Sequence, residues 1–479
     1  MLQANGCKLT ADGCQRAWGE NMEDTIAAIA TPPGEGGIGI IRISGSDAVR
    51  IIEQIFAPKN KKLWEQKTSH RLYLGHIVDK NKNQPIDEVL VSIMKSPKSF
   101  TGEDVVEINC HGGYLPLTLI LELVLASGAR LAGPGEFSKR AFLNGRLDLA
   151  QAEAIIDVIR ATSQSGLTAA VNQLQGGLSK QVEKLRADLL RILAYLEASI
   201  DFPEDEIEAL SAREITEVLT LVLHETHRML EGFNAGKIYR EGLKTVIVGK
   251  PNVGKSSLLN ALVRENRAIV TEIPGTTRDV IEEIISFGGI ALKIVDTAGI
   301  RETEDLVEKI GVEKSKALLM EADLVLVVLD AAHGIDAADE EILQMVKQSG
   351  KKYLVLLNKI DVAKEKENKV LVEHDHILEI SAKEEIGLDQ LERTIKNLLL
   401  AGQIAPNSEK LVTRYRHYEA LQRAERHIKE TLSALKRNMP ADFLSIDLKA
   451  AWEALGEITG STVSEDILDR IFADFCIGK

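Results

Sequence analysis

The 479 residues predict a multidomain chain: an N-terminal α+β unit, an α-helical unit, and a parallel α/β unit inserted into the helical one. Three observations carry this. At roughly 150 residues per domain, the length suits about three domains, each able to bury a core. The hydropathy pattern changes from mixed short runs to helical spacing, then to strands alternating with helices, and then back to helical spacing. Hydrophobic content of 44% and charged content of 27% are ordinary globular values, which exclude a mostly disordered, collagen-like or disulfide-scaffold chain. No apolar run approaches the roughly 18 residues of a membrane helix; the longest, such as Leu324 to Leu329, have strand length.

Taken in order, residues 1–23 read as a flexible tail. They lack the basic start, apolar stretch and small-residue cleavage site of a secretory signal, and Met22 is an alternative start. Residues 24–136 mix strand-like runs (Thr25 to Ala30, Ile38 to Ile43, Val89 to Ile93, Val105 to Asn109) with helix-like ones (Asp47 to Phe56, Leu115 to Ala126). In residues 137–240 strand signals vanish. Apolar residues recur there at helical spacing (Val182, Leu185, Leu189, Ile192, Leu196), interrupted by the acidic turn from Asp201 to Glu206. Residues 241–403 alternate strands (Thr245 to Val248, Leu292 to Val295, Leu324 to Leu329, Tyr353 to Leu357, Ile377 to Ile380) with helices. Residues 404–479 return to helix, with Leu411, Tyr415, Tyr418, Leu421, Ile428, Leu432 and Leu435 on one side. A last stripe of Ile467, Ile471 and Phe475 follows Ser464. The helical segments flanking residues 241–403 each have an apolar face needing a partner, which makes the α/β unit an insertion.

Four cysteines, at positions 7, 14, 110 and 476, form no C-x-x-C pair and no zinc spacing, the usage of a reducing cytoplasm. A net charge of -14 argues against broad non-specific nucleic-acid binding, so any RNA contact is local.

Gly249-Lys250-Pro251-Asn252-Val253-Gly254-Lys255-Ser256 is a complete G-x-x-x-x-G-K-S between an apolar strand and the helical run Ser257 to Val263. Its glycines let backbone N–H groups close around phosphate, Lys255 supplies charge to the β/γ oxygens, and the Ser256 hydroxyl suits Mg2+. Three further elements follow in the order a GTPase requires. Asp296-Thr297-Ala298-Gly299 ends a strand where Asp296 orients Mg2+ through water and the Gly299 N–H senses a γ-phosphate. In Asn358-Lys359-Ile360-Asp361, the Asp361 carboxylate accepts from guanine N1–H and the 2-amino group, a donor pair that adenine lacks. Ser381-Ala382-Lys383 closes over O6. Together these predict a Ras-like P-loop fold that binds GTP. Where a Ras-like enzyme has its water-orienting glutamine this chain has Ile300, and no arginine finger is identifiable, so the missing positive charge comes from elsewhere.

Thr31-Pro32-Pro33-Gly34, Arg42-Ile43-Ser44-Gly45, Phe100-Thr101-Gly102-Glu103-Asp104, Gly135-Glu136-Phe137, the run Leu147 to Glu153, the GTPase motifs and the terminal Phe475-Cys476-Ile477-Gly478-Lys479 form a combination that spans nearly the whole length after Met22. In these residues the chain resembles the bacterial tRNA wobble-uridine modification GTPase family (MnmE, also called TrmE). The resemblance implies an N-terminal folate-binding and dimerisation domain, and a helical domain interrupted by a G domain. It also implies a homodimer joined by an FAD-dependent partner (MnmG) in a heterotetramer or larger complex, tRNA as substrate, and no membrane.

The resemblance further implies that Asn252, with Thr271, Ile273 and Thr276 of the Thr271-Glu272-Ile273-Pro274-Gly275-Thr276-Thr277 loop, holds a K+ ion in place of an arginine finger, while Thr277 completes the Mg2+ shell. Ser257 belongs to the same nucleotide site. Glu308 matches the family's water-orienting glutamate; the lesser alternative is a solvated helix carboxylate. A tetrahydrofolate derivative (5-formyl or 5,10-methylene form) maps to Arg42, Glu107, Arg146 and Lys479. One carboxylate suits a pterin ring N–H and amino group, and arginine or lysine suits a glutamate tail. Taken alone, Arg42 is a solvated strand-edge arginine. Cys476 matches a cysteine the family needs for modification, although a lone cysteine by itself is a small apolar residue. Cys110 reads as packing.

From Asn407 to Asn438, Lys410, Arg414, Arg416, Arg423, Arg426, Lys429, Lys436 and Arg437 stand against Glu409, Glu419, Glu425 and Glu430. This face touches tRNA phosphates or is simply solvated. The expected activity is K+-activated GTP hydrolysis coupled to adding an aminomethyl or carboxymethylaminomethyl group at C5 of the wobble uridine. The rival reading is a regulatory GTPase of ribosome assembly or stress signalling, which has no use for a folate site or Cys476.

Overall fold

A computed structural model describes residues 24–32, 34–80, 82, 84–201, 211–266, 283–295, 319–363, 377–400 and 411–479. Their contacts divide the chain into two compact units, Met1–Glu153 with Thr459–Lys479, and Ala154–Ile458.

The first unit is built on a seven-stranded sheet of β1 (Ile26–Ile29), β2 (Gly36–Ser44), β3 (Phe56–Pro58), β4 (Arg71–Asp79), β5 (Gln84–Met94), β6 (Val105–Gly112) and β7 (Arg130–Leu131), in the order β3-β4-β5-β6-β2-β1-β7. Pairing is antiparallel except between β1 and β7. Alternation puts Ile41, Ile43, Val91, Ile93 and Ile108 on one face, where Ile51 and Ile52 of helix Ala48–Ile55 and Ile120 and Val124 of helix Tyr114–Ala126 cover them. Strands β3 and β4 lie outside the strand-like runs named above. A side chain at Gly75 would stand 2.5 Å from the Ala57 carbonyl, so the close approach of β3 needs glycine in the middle of β4. The chain's last helix, Glu465–Ala473, packs on helix Glu136–Leu143 through Phe142 and Phe472, with ring centroids 6.5 Å apart. Its buried residues are Leu468 and Phe472, while Ile467 is exposed, so the apolar stripe is turned one position from Ile467 and Ile471. The segment that follows bridges Ile477 to Pro134, and a Cβ on Gly478 would lie 2.4 Å from the Ile29 carbonyl.

The second unit holds a six-stranded sheet of β8 (Leu243–Val248), β9 (Glu283–Phe287), β10 (Ile290–Ile294), β11 (Leu324–Asp330), β12 (Lys352–Asn358) and β13 (Ile377–Glu379), in the order β13-β12-β11-β8-β10-β9. Every pair is parallel except the β9–β10 hairpin. Leu324, Leu326 and Val328 pack into one core and Val325, Val327 and Leu329 into another. Burial on both faces explains why β11 is a continuous apolar run. Strand order reverses around β8, which lies between β11 and β10 and leads at its C-terminal end to the glycine-rich loop, the switch point where parallel α/β sheets bind ligands. This is the P-loop GTPase fold.

Helices Gln164–Leu174, Gly177–Asp201, Ala212–Glu231, Phe233–Glu241 and Tyr415–Lys436 make up much of the rest of this unit. Val182, Leu185, Leu189, Ile192 and Leu196 are buried, as their spacing predicts. Leu411 heads the apolar stripe expected to be helical, but the helix begins at Tyr415. Residues Leu411, Val412 and Thr413 are buried but not helical, because Gly236 lets the Val412 carbonyl come so close that a Cβ would lie 2.2 Å from it. Tyr415 is correspondingly exposed, near the stacked rings of Phe233 and Tyr418, and the buried stripe is His417, Ala420, Leu421, Ala424, Ile428 and Thr431. Both connections to the sheet meet at one carboxylate. Asp157 Oδ1 accepts from Arg240 Nε at 3.2 Å and from Arg414 Nη2 at 2.8 Å, and Oδ2 accepts from Arg414 Nε at 3.2 Å.

Candidate functional site

The loop from Gly249 to Gly254 joins β8 to helix Lys255–Asn266. Gly249 and Gly254 have φ of 152° and 101°, and Asn252 has φ 62°. A side chain at Gly249 would stand 2.3 Å from the Val328 carbonyl, and one at Gly254 2.1 Å from Asn358 Nδ2. The glycines are therefore required by close approach as well as by φ. Lys255 donates to the Gly249 and Lys250 carbonyls at 2.8 and 2.7 Å. Burial holds its ammonium below the usual lysine range, with no acid beside it among the described residues. An anion in the loop would supply that missing opposite charge, with the first N–H groups of the helix as further donors. Ser256 and Ser257 are exposed on the first turn, and Val253 is buried.

The guanine-type motif closes on this loop through an amide and an ammonium. Asn358 Nδ2 donates to the Val253 carbonyl at 2.9 Å, while its Oδ1 accepts from the Ala382 N–H at 2.9 Å. Ser381 donates to Asp361 Oδ1 at 2.6 Å, fixing the carboxylate, and the Ile360 N–H donates to the Ile380 carbonyl. Lys359 donates to the Asn252 carbonyl at 2.6 Å and to Asp330 at 2.7 Å. Lys383 is exposed and pairs only loosely with Glu384 at 3.5 Å. Asn252, Val253, Gly254, Lys255, Asn358, Lys359, Ile360, Asp361, Ser381 and Ala382 thus gather at one end of the sheet. Thr271, Glu272, Ile273, Pro274, Gly275, Thr276, Thr277, Asp296, Thr297, Ala298, Gly299 and Glu308 lie outside the described residues.

A second polar cluster forms in the first unit. Arg42 on β2 faces Glu107 on β6 in register, and its Nε donates to Glu107 at 2.8 Å. Its Nη1 donates to the Gly478 carbonyl at 3.0 Å, which brings the last residues of the chain alongside. The Phe100 ring has two guanidinium groups over it, with Arg42 5.5 Å and Arg146 5.4 Å from its centroid. Burial first, and then the Arg42 charge, lower the Lys479 ammonium from its ordinary value. Arg42, Glu107, Arg146 and Lys479 are therefore neighbours, directly or through Phe100. Cys476, in the same terminal segment, is exposed, whereas Cys110 lies inside β6 and is buried. Burial and the nearby Asp87 push the Cys110 thiol up to about 11, the state of a packing residue.

Phe100 and Asp330 take part in these two clusters without a site role predicted from the sequence. For Asp330 there is a signal: it is an acid ending a strand whose other six residues, Leu324 to Leu329, are apolar and buried. No helix among the described residues is long and apolar enough to cross a membrane.

Residues 149–476 match the family model described as the MnmE helical domain, and residues 25–146 match that of the GTP-binding protein TrmE N-terminus. A tRNA modification GTPase MnmE of Desulforamulus reducens is 56% identical over 96% of this chain and 100% of its own length. The protein of that name from Heliobacterium modesticaldum is 54% identical over 95% of this chain and 99% of its own. Among solved structures, Aquifex aeolicus Era bound to GDP.AlF4- is 31% identical over 39% of this chain and 66% of its own, with a TM-score of 0.25. With two family models spanning nearly all of the described residues and relatives matched end to end at such identity, this chain belongs to the MnmE family of tRNA modification GTPases.

Proposed function

We propose that this chain hydrolyses GTP with K+ as activating cation and, with an FAD-dependent MnmG-type partner, adds an aminomethyl or carboxymethylaminomethyl group at C5 of the tRNA wobble uridine. A tetrahydrofolate derivative is the one-carbon donor, and the working form is a cytoplasmic homodimer within a larger complex. The observation that carries the modification reading over a simple switch is the Arg42–Glu107–Gly478 cluster. A pure switch has no use for an arginine that joins a carboxylate to the chain's terminal segment and shares an aromatic ring with a second guanidinium group.

In the nucleotide site the residues have separate tasks. Lys255 and the loop amides hold the phosphates, Asp361 reads the base, and Asn358 keeps the two loops in register. Ser256 and Thr277 would hold Mg2+. Asn252, Thr271, Ile273 and Thr276 would hold K+, and their neutral oxygen donors suit a singly charged ion; when bound, it supplies positive charge at the β/γ bridge. Glu308 orients the attacking water. Arg42, Glu107, Arg146 and Lys479 bind the folate, with Glu107 accepting from the pterin and the cations facing its acidic tail.

Two measurements test the proposal. Hydrolysis is expected to be at least about tenfold faster in KCl than in NaCl, since stabilising charge at the transferring phosphoryl is worth that much and more; equal rates in both salts would remove the cation. Mass analysis of tRNA nucleosides from cells lacking the protein should show loss of the C5-modified wobble uridine, restored by wild type and not by Cys476→Ser. An unchanged nucleoside profile would leave a GTPase with a different purpose.

A further inference from the structure

Asp330 ends β11 directly beside Asn358, the residue it pairs with at the end of β12. Its Oδ2 accepts from Lys359 Nζ at 2.7 Å, and its Oδ1 accepts from the Ala332 N–H at 2.9 Å, so the turn after the strand fixes the carboxylate's direction. Only 11% of the Asp330 side chain is exposed, against 32% for Lys359. The same ammonium reaches across to the Asn252 carbonyl at 2.6 Å. Asn252 and Lys359 both hold left-handed backbone, at φ 62° and 69°, which residues other than glycine keep only where their surroundings hold them. His333 also approaches Asp330, at 3.2 Å, but its own side chain is 82% exposed.

We propose that Asp330 is a positioning residue of the nucleotide site: it aims the Lys359 ammonium at the Asn252 carbonyl and cancels that positive charge beside the phosphate loop. The inference rests on the GTP reading above. Its geometric part is that a lysine has three donors on a flexible stem, and one carbonyl does not choose among its rotamers. A buried carboxylate opposite that carbonyl does, so the base loop and the phosphate loop are joined through a lysine with one conformation. Its electrostatic part concerns charge. Asn252 is a proposed K+ ligand through a neutral oxygen, and an uncompensated ammonium held against the same residue would oppose a second cation there. With Asp330 in place the pair is neutral, and a monovalent cation meets no net repulsion from it. A merely structural ion pair would affect folding stability, and would leave nucleotide release and its cation dependence unmoved.

The test is release of a fluorescent GDP analogue from the full-length chain, followed by rapid mixing at a series of KCl concentrations, with melting temperature measured alongside. Asp330→Asn keeps shape and removes charge. It is expected to speed release about tenfold, the worth of one hydrogen bond to a charged group, and to raise the K+ concentration for half-maximal retention at least about threefold. Asp330→Glu keeps the charge on a longer stem and should give an intermediate increase of about two- to fourfold. His333→Ala should release like wild type. Release by Asp330→Asn within about twofold of wild type, at any melting temperature, overturns the proposal. If Asp330→Asn does not fold, Asp330→Glu decides: release and K+ midpoint equal to wild type overturn it. A wild-type chain that binds no GDP analogue overturns the GTP reading itself, and with it this inference, and is told apart because no variant is needed to see it.

Discussion

At Gly254 the phosphate loop leaves no room for a single carbon. The residue sits at φ 101°, and a Cβ there would lie 2.1 Å from the Asn358 nitrogen that ties the base motif to Val253. Gly254→Ala therefore has to push Asn358 away or flatten the loop, and either breaks the only direct bond between Asn358 and that loop among the described residues. A Cβ at this position meets no core side chain within 4 Å, only Asn358, so the fold should survive. The expected result is a loss of at least about tenfold in affinity for a fluorescent guanine nucleotide, with melting temperature nearly unchanged. Affinity within threefold of wild type would show that the loop has slack. Gly254, Lys255 and Asn358 were legible in the sequence because phosphate and base chemistry fix their spacing. Arg42 was not legible without the family resemblance. Its partner carbonyl at Gly478 is 436 residues away, and no local pattern encodes that approach. Asp330 was invisible for a similar reason, since its role depends on the register between β11 and β12.

Between residue and fold, helix Glu136–Leu143 carries an ion network centred on the buried Arg140 that ties the helix to Asp24 before β1 and to Glu103 before β6. Arg140, only 4% exposed, contacts Asp24, Glu103 and Glu136, and Arg130 adds bonds to Asp24 and Glu136. Burial pushes the Glu136 carboxyl up, but hydrogen bonds from Arg130, the Gly133 N–H and Arg140 outweigh it and hold the group below the usual carboxylate range; Asp24 is lowered in the same way by Arg130 and Arg140. A lowered folded value means that stability is fully present above the unfolded value and is lost as pH falls through the folded one. The wild-type unit should thus hold its stability from pH 7 to 5 and lose it below about pH 4. Arg140→Met leaves the largely buried Glu103 without its cation, and Asp24 and Glu136 with Arg130 alone, and should cost about 3 kcal/mol at pH 7, roughly 6–12 °C in melting temperature for a unit of this size. The difference should shrink in acid, where the carboxylates protonate. Equal melting at pH 7, or a gap that persists at pH 3, would count against the network. The elements themselves were only partly legible. β6 and β11 were found from their apolar runs. β4 was missed because Leu72 and Leu74 are exposed on one face and Gly75 interrupts the other, leaving no clean alternation. The terminal helix was found, but its buried face was placed one residue off, since Ile467 and Leu468 are equally apolar and only packing on Phe142 chooses between them.

For the molecule as a whole, a net charge of -14 has to be reconciled with a polyanionic substrate. The helix Tyr415–Lys436 and its flanks carry the eight basic residues that sequence alone offers to tRNA, yet four of them are already engaged within the chain, and Lys410 lies outside the described residues. Arg414 is bound to Asp157, Arg416 to the Glu457 and Ile458 carbonyls, Arg423 to Glu457, and Lys429 to Glu425. Arg414 in particular cannot leave without freeing one of the two connections clamped by Asp157. What remains on this face is Arg426, whose guanidinium meets only His427 among the described residues, with Lys436 and Arg437 at the exposed end of the helix. A binding surface of that size neutralises few phosphates, and each contributes roughly -0.9 to the slope of log affinity against log salt. Titrating tRNA at several KCl concentrations should therefore give a slope of about -3, where a face using every basic residue of the segment would approach about -7. The shallow slope is the outcome in which recognition comes from the shape of the RNA and from partner subunits, and the steep one would mean that the internal pairs open on binding. Arg423→Ala separates them further: it should leave tRNA affinity within about twofold if Arg423 stays with Glu457, and should flatten the slope by about one if it does not.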